Sequence, residues 1–190
     1  MKLGIFGGSF DPVHLGHLLV AQAAIEELGL DRLFFVPAAR SPFKVDSNPA
    51  PGAVRLQLLR LALAGKINCE VDGGEIERGG VSYTVDTLRH YAAKYSPAEL
   101  FYLIGADNAS GLKGWREPAE LSRLAVFVAV PRPGGAISVF PPPFRGRALT
   151  GYPFGVSSSE IRARIKAGST IEHLVPEAVA SAIRTLALYR

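Results

Sequence analysis

Apolar positions along the chain follow two alternating periods. Lys2–Phe6 is a short apolar run that stops at Gly7-Gly8, which predicts a buried first strand. Leu15, Leu18, Leu19, Ile25 and Leu28 recur at helical spacing, and Gly29 ends that helix. Arg32–Pro37 predicts a second strand, followed by a loop through Pro42, Pro49 and Pro51. Val54–Ala64 predicts a helix closed by Gly65, and Glu70–Val81 short strand pieces with a Gly79-Gly80 turn. Helices are predicted over Thr84–Tyr95, Ser158–Ala167 and Pro176–Leu188, and strands over Leu100–Ile104 and Leu124–Val130. Residues 132–152 are rich in Pro and Gly and predict a surface excursion with a short strand near Ala148-Leu149. Strand and helix alternate, so the expected fold is α/β: a doubly wound, Rossmann-like parallel sheet with helices on both faces, in a single domain over 1–190. Such sheets bind ligands beyond the carboxyl ends of their strands. Gly7–His17, Pro42–Lys44, Gly105–Asp107 and Ser157–Arg162 all fall at those ends.

Composition narrows the class of ligand. The chain has 190 residues and a net charge of +4, with a pI near 9.4. Its Lys and Arg residues are scattered, so small anionic substrates are expected rather than nucleic acid. No apolar run approaches transmembrane length, and no membrane partner is expected. The N-terminus lacks the pattern of a secretory leader. Cys69 is the single cysteine and cannot form an internal disulfide, so a cytoplasmic setting and a buried structural thiol are expected. A homo-oligomer is left open.

Two nucleotide signatures are absent. The glycines at 4, 7 and 8 do not spell the dinucleotide fingerprint, and the second strand ends in Val36-Pro37 rather than an acidic residue. No G-x-x-x-x-G-K-[ST] occurs. What remains is a strand, a predicted tight turn at Gly7-Gly8, and a helix start bearing His14 and His17. The glycines would let a phosphate approach the backbone, and free helix amides favour an anion. The two histidines are three apart and share a face, where each can donate to a phosphate oxygen. Gly16 between them would leave room for the ligand. An ordinary polar helix start, or a metal-binding H-x-x-H pair with Asp11, is the alternative reading of these residues.

The whole string Gly7-Gly8-Ser9-Phe10-Asp11-Pro12-Val13-His14-Leu15-Gly16-His17 resembles the GGSFDPVHxGH signature of the bacterial nicotinate-nucleotide adenylyltransferases, within the HxGH nucleotidyltransferase superfamily. Four further segments are similar to that family. Val156–Arg162 resembles its ISSTxIR motif, with Val and Ser in place of Ile and Thr; by itself, Ser157-x-x-Glu160 is a capping box. Gly105-Ala106-Asp107 with Leu112 and Trp115 resembles GADxxxxLxxW. Ser82–Thr87 resembles SYTxDT, with Thr84 read as an N-cap. Ser41-Pro42-Phe43-Lys44 carries Phe where the family usually has His.

The resemblance implies transfer of an adenylyl group from ATP to nicotinate mononucleotide, giving the deamido dinucleotide and pyrophosphate. It implies that His14, His17 and Arg162 are catalytic. ATP would be held by Gly7, Gly8, Ser9, Phe10, His14, Gly16, His17, Gly105, Asp107, Ser157, Ser158 and Arg162. Nicotinate mononucleotide would be held by Lys44, Tyr83, Thr84 and Trp115, with Trp115 stacking on the pyridine ring. Mg²⁺ is expected, bound mainly through ATP phosphates and water, with no all-protein metal site. A nicotinamide-mononucleotide adenylyltransferase, a phosphopantetheine adenylyltransferase and a silent nucleotide-binding module are the competing functions. Arg55 and Arg60 are expected at the surface of their helix, and His90 and His173 are given no role.

Overall fold

The computed structural model describes residues 1–42, 48–131, 139–152 and 154–190. Lys44 and residues 132–138 of the Pro/Gly-rich segment lie outside the described residues. The strands are β1 (Lys2–Gly8), β2 (Arg32–Pro37), β3 (Cys69–Val71), β4 (Glu99–Gly105), β5 (Val126–Val130) and β6 (Gly146–Ala148). The helices are α1 (Leu15–Leu28), α2 (Gly52–Leu63), α3 (Gly74–Arg78), α4 (Thr84–Lys94), α5 (Pro118–Leu124), α6 (Ser158–Lys166) and α7 (Glu177–Thr185). All six strands pair in parallel, in the order β3-β2-β1-β4-β5-β6. This is the expected doubly wound sheet.

Strand side chains alternate between the two faces and so feed two cores. Leu33, Phe35, Phe101 and Leu103 face α1, α2, α6 and α7 through Ala24, Leu58, Ile161 and Val179. Leu3, Ile5, Phe34, Tyr102 and Ile104 face α4 and α5 through Val85, Leu88 and Leu121. Chain order reverses between β1 and β4, the point where such sheets open a crevice. Here β1 pairs with β4 only through Phe6–Leu103, while Gly7 and Gly8 continue alongside β2 alone. Gly7-Gly8 is therefore the end of a strand and not the predicted turn, which comes after Phe10.

Three elements depart from the pattern-based reading. Glu70–Val81 was expected as strand pieces, but beyond β3 it forms α3. The Asp72 carboxylate accepts from the Gly74 amide at 2.8 Å to start that helix, and Gly79, at φ 69°, stops it. Five residues are too few to display a helical period. The seven-residue α5 was likewise not anticipated; Pro118 opens it, and Leu124 belongs to it rather than to β5. Thr84 is the first helical residue of α4, and Tyr83 occupies the N-cap. Arg89 on α4 ties this helix to α5 through ion pairs with Glu117 and Glu120. Among the described residues no helix is long and apolar enough to cross a membrane.

Candidate active site

The signature string leaves the sheet at Gly8 and enters α1 at His14, its N-cap. Phe10 sits at φ 46°, and its ring is buried against Phe6, Phe35 and His17. Its side chain is thereby committed to the core, leaving only its backbone to meet a ligand. The His14 and His17 rings lie with centroids 3.7 Å apart. The His14 backbone N–H donates to His17 Nδ1 at 3.1 Å. An accepting Nδ1 leaves the neutral ring's proton on Nε2, so His17 presents a donor on its outer edge.

His14 is 6% exposed, and among the described residues its Nδ1 has no hydrogen-bond partner. Burial lowers its pKa from 6.5 to about 4, because the low-dielectric surroundings disfavour the imidazolium. Before any anion binds, His14 is neutral at pH 7. A phosphate beside it would favour the charged form and pull that pKa back up.

The glycines also leave room for side chains of the protein itself. A Cβ on Gly7 would sit 2.4 Å from the Tyr102 hydroxyl, so this position is empty to admit a tyrosine from β4. A Cβ on Gly16 would stand 3.0 Å from the His14 ring; the space serves the histidine first. A Cβ on Gly105 would meet the Asp107 carboxylate at 2.5 Å. Asp107 thus folds back over the end of β4, exposed at the rim of the crevice.

The α6 segment docks directly on the signature loop. Ser157 caps the helix by accepting from the Glu160 amide at 3.2 Å. Ser158 Oγ donates to the Pro12 carbonyl at 2.9 Å, rather than lying among free amides. Arg162 Nη1 donates to the Asp11 carbonyl at 2.7 Å and Nη2 to Ser159 Oγ at 3.2 Å. Its side chain remains 35% exposed, which leaves further N–H groups able to reach an anion. Ser158 and Arg162 are thus on the same side of the loop as the histidine pair's supporting backbone.

Arg55 overturns the expectation of a surface residue. It is 2% exposed and donates to the carbonyls of Ala50, Ser9 and Ala38 at 2.8–2.9 Å. One guanidinium therefore fastens the signature loop, the β2 exit and the start of α2 together. Burial lowers its pKa and the nearby Asp11 opposes that shift. Arg60, by contrast, is exposed as expected.

Three of the four residues expected to hold the acceptor converge; the fourth, Lys44, lies outside the described residues. Tyr83, Thr84 and Trp115 line one cavity of about 100 Å³ together with Pro42, Gly114, Arg116 and Leu121. Trp115 is half-buried and stands edge-on to Tyr102 and Phe127. Thr84 Oγ1 donates to the Tyr102 hydroxyl at 3.3 Å, so this cavity and Gly7 share one side chain. Sequence reasoning missed Arg116, which lines the cavity with its guanidinium 4.6 Å from the Tyr83 ring centroid and its Nε 3.6 Å from the Glu117 carboxylate. Its place directly after the single tryptophan was the available signal. A second cavity of about 160 Å³ lies on α3 and the other side of α4. There Asp72 and Glu75 are already paired with Tyr91 and Thr87. Cys69 is half-buried, and burial raises its thiol pKa, as suits a structural residue.

Comparison with known proteins shows the family and the fold. A family model described as cytidylyltransferase-like matches residues 5–164. A Thermus thermophilus protein named "probable nicotinate-nucleotide adenylyltransferase" is 44% identical over 190 residues, covering all of both chains. One of the same name from Opitutus terrae is 40% identical, covering all of this chain and 98% of its own. The fold matches Plasmodium falciparum nicotinic acid mononucleotide adenylyltransferase, solved in complex with NaAD, at a TM-score of 0.76 and 18% identity, over 99% of this chain and 97% of that one. The chain belongs to the cytidylyltransferase-like nucleotidyltransferases and, within them, to the nicotinate-nucleotide adenylyltransferase family.

Proposed function

We propose that this enzyme transfers the adenylyl group of ATP to nicotinate mononucleotide, yielding the deamido dinucleotide of NAD biosynthesis and pyrophosphate. The observation that carries the choice of acceptor is the meeting of Tyr83, Thr84 and Trp115 in one aromatic-walled cavity, one side chain away from Gly7. The Thr84 and Val85 amides precede the first bond within α4, which the Asp86 amide makes to the Tyr83 carbonyl at 3.1 Å, and a helix N-terminus favours an anion. Arg116 adds a formal positive charge to the cavity lining. Both features favour the nicotinate carboxylate over a neutral carboxamide.

In the reaction, an oxygen of the acceptor's phosphate forms a bond to the α-phosphorus of ATP. The bond from that phosphorus to the α–β bridging oxygen breaks, and pyrophosphate leaves with its electron pair. The attacking phosphate is already ionised, so no general base is required. The enzyme's task is alignment and charge stabilisation, and alignment alone can supply roughly 7–11 kcal/mol. His17 offers Nε2–H to a phosphate oxygen, and His14 gains charge as negative phosphate approaches. Arg162 and the Ser157–Ser158 end of α6 hold the departing phosphates, while Gly7–Phe10 supplies backbone to the nucleotide. Asp107, at the end of β4, is placed to accept from ribose hydroxyls. Lys44 is proposed as a contact to the acceptor phosphate.

Mg²⁺ would supply charge neutralisation along the triphosphate. Among the described residues no three His, Cys, Asp or Glu side chains cluster to hold a metal; the ion would be held by ATP oxygens and water. A cytoplasmic setting is proposed on the same reading, which the unpaired Cys69 suits.

The test is pyrophosphate release with ATP and each of nicotinate mononucleotide, nicotinamide mononucleotide and phosphopantetheine. A higher kcat/KM for the acid is expected, and a clear preference for either other acceptor overturns the reading. His17→Ala should lower turnover by orders of magnitude while the protein stays folded.

A further inference from the structure

Asp11 is the most heavily engaged residue of the signature loop. It is 5% exposed. Its Oδ1 accepts from the Ala50 amide at 3.1 Å and from the Tyr189 hydroxyl at 2.8 Å. Its Oδ2 stands 3.8 Å from Arg162 Nη1, and its own carbonyl accepts from that same nitrogen at 2.7 Å. Tyr189 reaches this point from the turn that follows α7. Ala187 and Tyr189 both have left-handed backbones there, at φ 49° and 64°. Non-glycine residues adopt that conformation only where surrounding contacts hold them. The Tyr189 ring packs against the α1/α2 core, and its hydroxyl meets the carboxylate. Burial and the Asp11 hydrogen bond both keep the phenol protonated, hence a donor.

We infer that Tyr189 is a positioning residue for the ATP clamp: its hydroxyl holds the Asp11 carboxylate on the side away from Arg162, and so keeps the Arg162 guanidinium open to phosphate. Asp11 has one charge to share between Tyr189, the Ala50 amide and Arg162. With the phenol donating to Oδ1, the ion pair to Arg162 stays at 3.8 Å and loose. Without that donor, only the Ala50 amide still holds Oδ1, and the carboxylate can turn towards Arg162 and compete with the triphosphate for the same N–H groups. The effect falls on ATP and spares the acceptor, whose cavity is built by α4 and residues 114–116. This inference rests on Arg162 gripping ATP, as proposed above.

The test uses Tyr189→Phe, which keeps the ring and removes only the hydroxyl. Calorimetric binding of ATP with Mg²⁺ is measured for the wild type, Tyr189→Phe, Asp11→Asn and the double variant, with thermal melts alongside. Steady-state KM values for both substrates are measured for the wild type and Tyr189→Phe. Tyr189→Phe should weaken ATP binding about three- to tenfold, the range of one ordinary hydrogen bond, since the lost bond acts on ATP only through Asp11. It should leave the acceptor KM unchanged, and on the Asp11→Asn background, which has no carboxylate charge to release, it should have no further effect on ATP. Unchanged ATP affinity, an equal loss on both backgrounds, or a lowered melting temperature with unaltered binding would each overturn it. ATP binding is read without any acceptor, so failure of the nicotinate assignment would leave this measurement interpretable.

Discussion

Gly7 offers a sharp test of what the signature glycines are for. Replacing it with alanine places a methyl group 2.4 Å from the Tyr102 hydroxyl and 3.2 Å from Cζ. The oxygen belongs to a buried ring on a central strand, so it cannot swing into solvent. Overpacking of this kind costs about 1–3 kcal/mol. Tyr102→Phe alone removes the partner of Thr84 Oγ1 and costs about 1 kcal/mol. Together the two changes remove most of the clash, because the nearest remaining ring carbon is 3.2 Å away and needs to yield only a few tenths of an ångström. The double variant should therefore be more stable than the sum of the single losses predicts, by about 1 kcal/mol or more. Urea midpoints of the four proteins measure this, with kcat/KM recorded in parallel. Additivity within about 0.3 kcal/mol would refute the steric account. If Gly7 served only phosphate approach, Gly7→Ala would lose turnover at little cost in stability, and Tyr102→Phe would restore none of it.

Other outcomes follow from the same geometry. Arg55→Met should destabilise the protein by about 3–5 kcal/mol, since three buried carbonyls lose their donor; chemical denaturation decides, and a change within experimental scatter would show that Arg55 does not fasten the loop. His14 has its folded-state pKa lowered to about 4 from 6.5, so its neutral form adds stability that is complete above pH 6.5 and is lost as pH falls towards 4. That loss is on the order of 3 kcal/mol, and it should be missing from His14→Gln in paired melts across this range. Arg116→Gln should lower the acid-over-amide ratio of kcat/KM by up to about tenfold, with the ATP KM unchanged; an unaltered ratio would leave acceptor choice to the α4 amides alone. Trp115→Ala should raise the acceptor KM more than the ATP KM in initial-rate assays, and an equal rise would remove its assignment to the ring.

The sheet and its helices were legible because the four central strands are largely apolar runs and helices such as α1 and α6 are closed by Gly29 and Gly168. The signature string was legible as a unit, as were the Tyr83–Thr84 and Trp115 segments that the fold brings into one cavity. What the pattern could not supply were partners across the chain. Arg55 sits in an apolar helix and reads as an exposed interruption; only the fold shows three carbonyls from separate segments around it. Gly7 and Gly16 read as room for a ligand, but the side chains that fill that room, Tyr102 and the folded-back His14 ring, are set by the strand pairing and the helix entry. Short helices such as α3 and α5 carry too few residues for a period and are fixed by a single turn, an aspartate or a proline.

The signature loop is made early in the chain but held late. Beyond Arg55 and the Ala50 amide, its fastenings come from Ser158, Arg162 and Tyr189, which lie 146, 151 and 178 positions from their partners Pro12 and Asp11. Closing so long a loop costs only slightly more entropy than a short one, yet contacts this distant form slowly. A chain emerging from the ribosome thus carries its entire phosphate-binding motif for most of its synthesis without the side chains that shape it. Full ATP affinity should be reached only after residue 189 is released, and a ribosome-stalled chain that stops short of α6 would hold the motif but not the clamp.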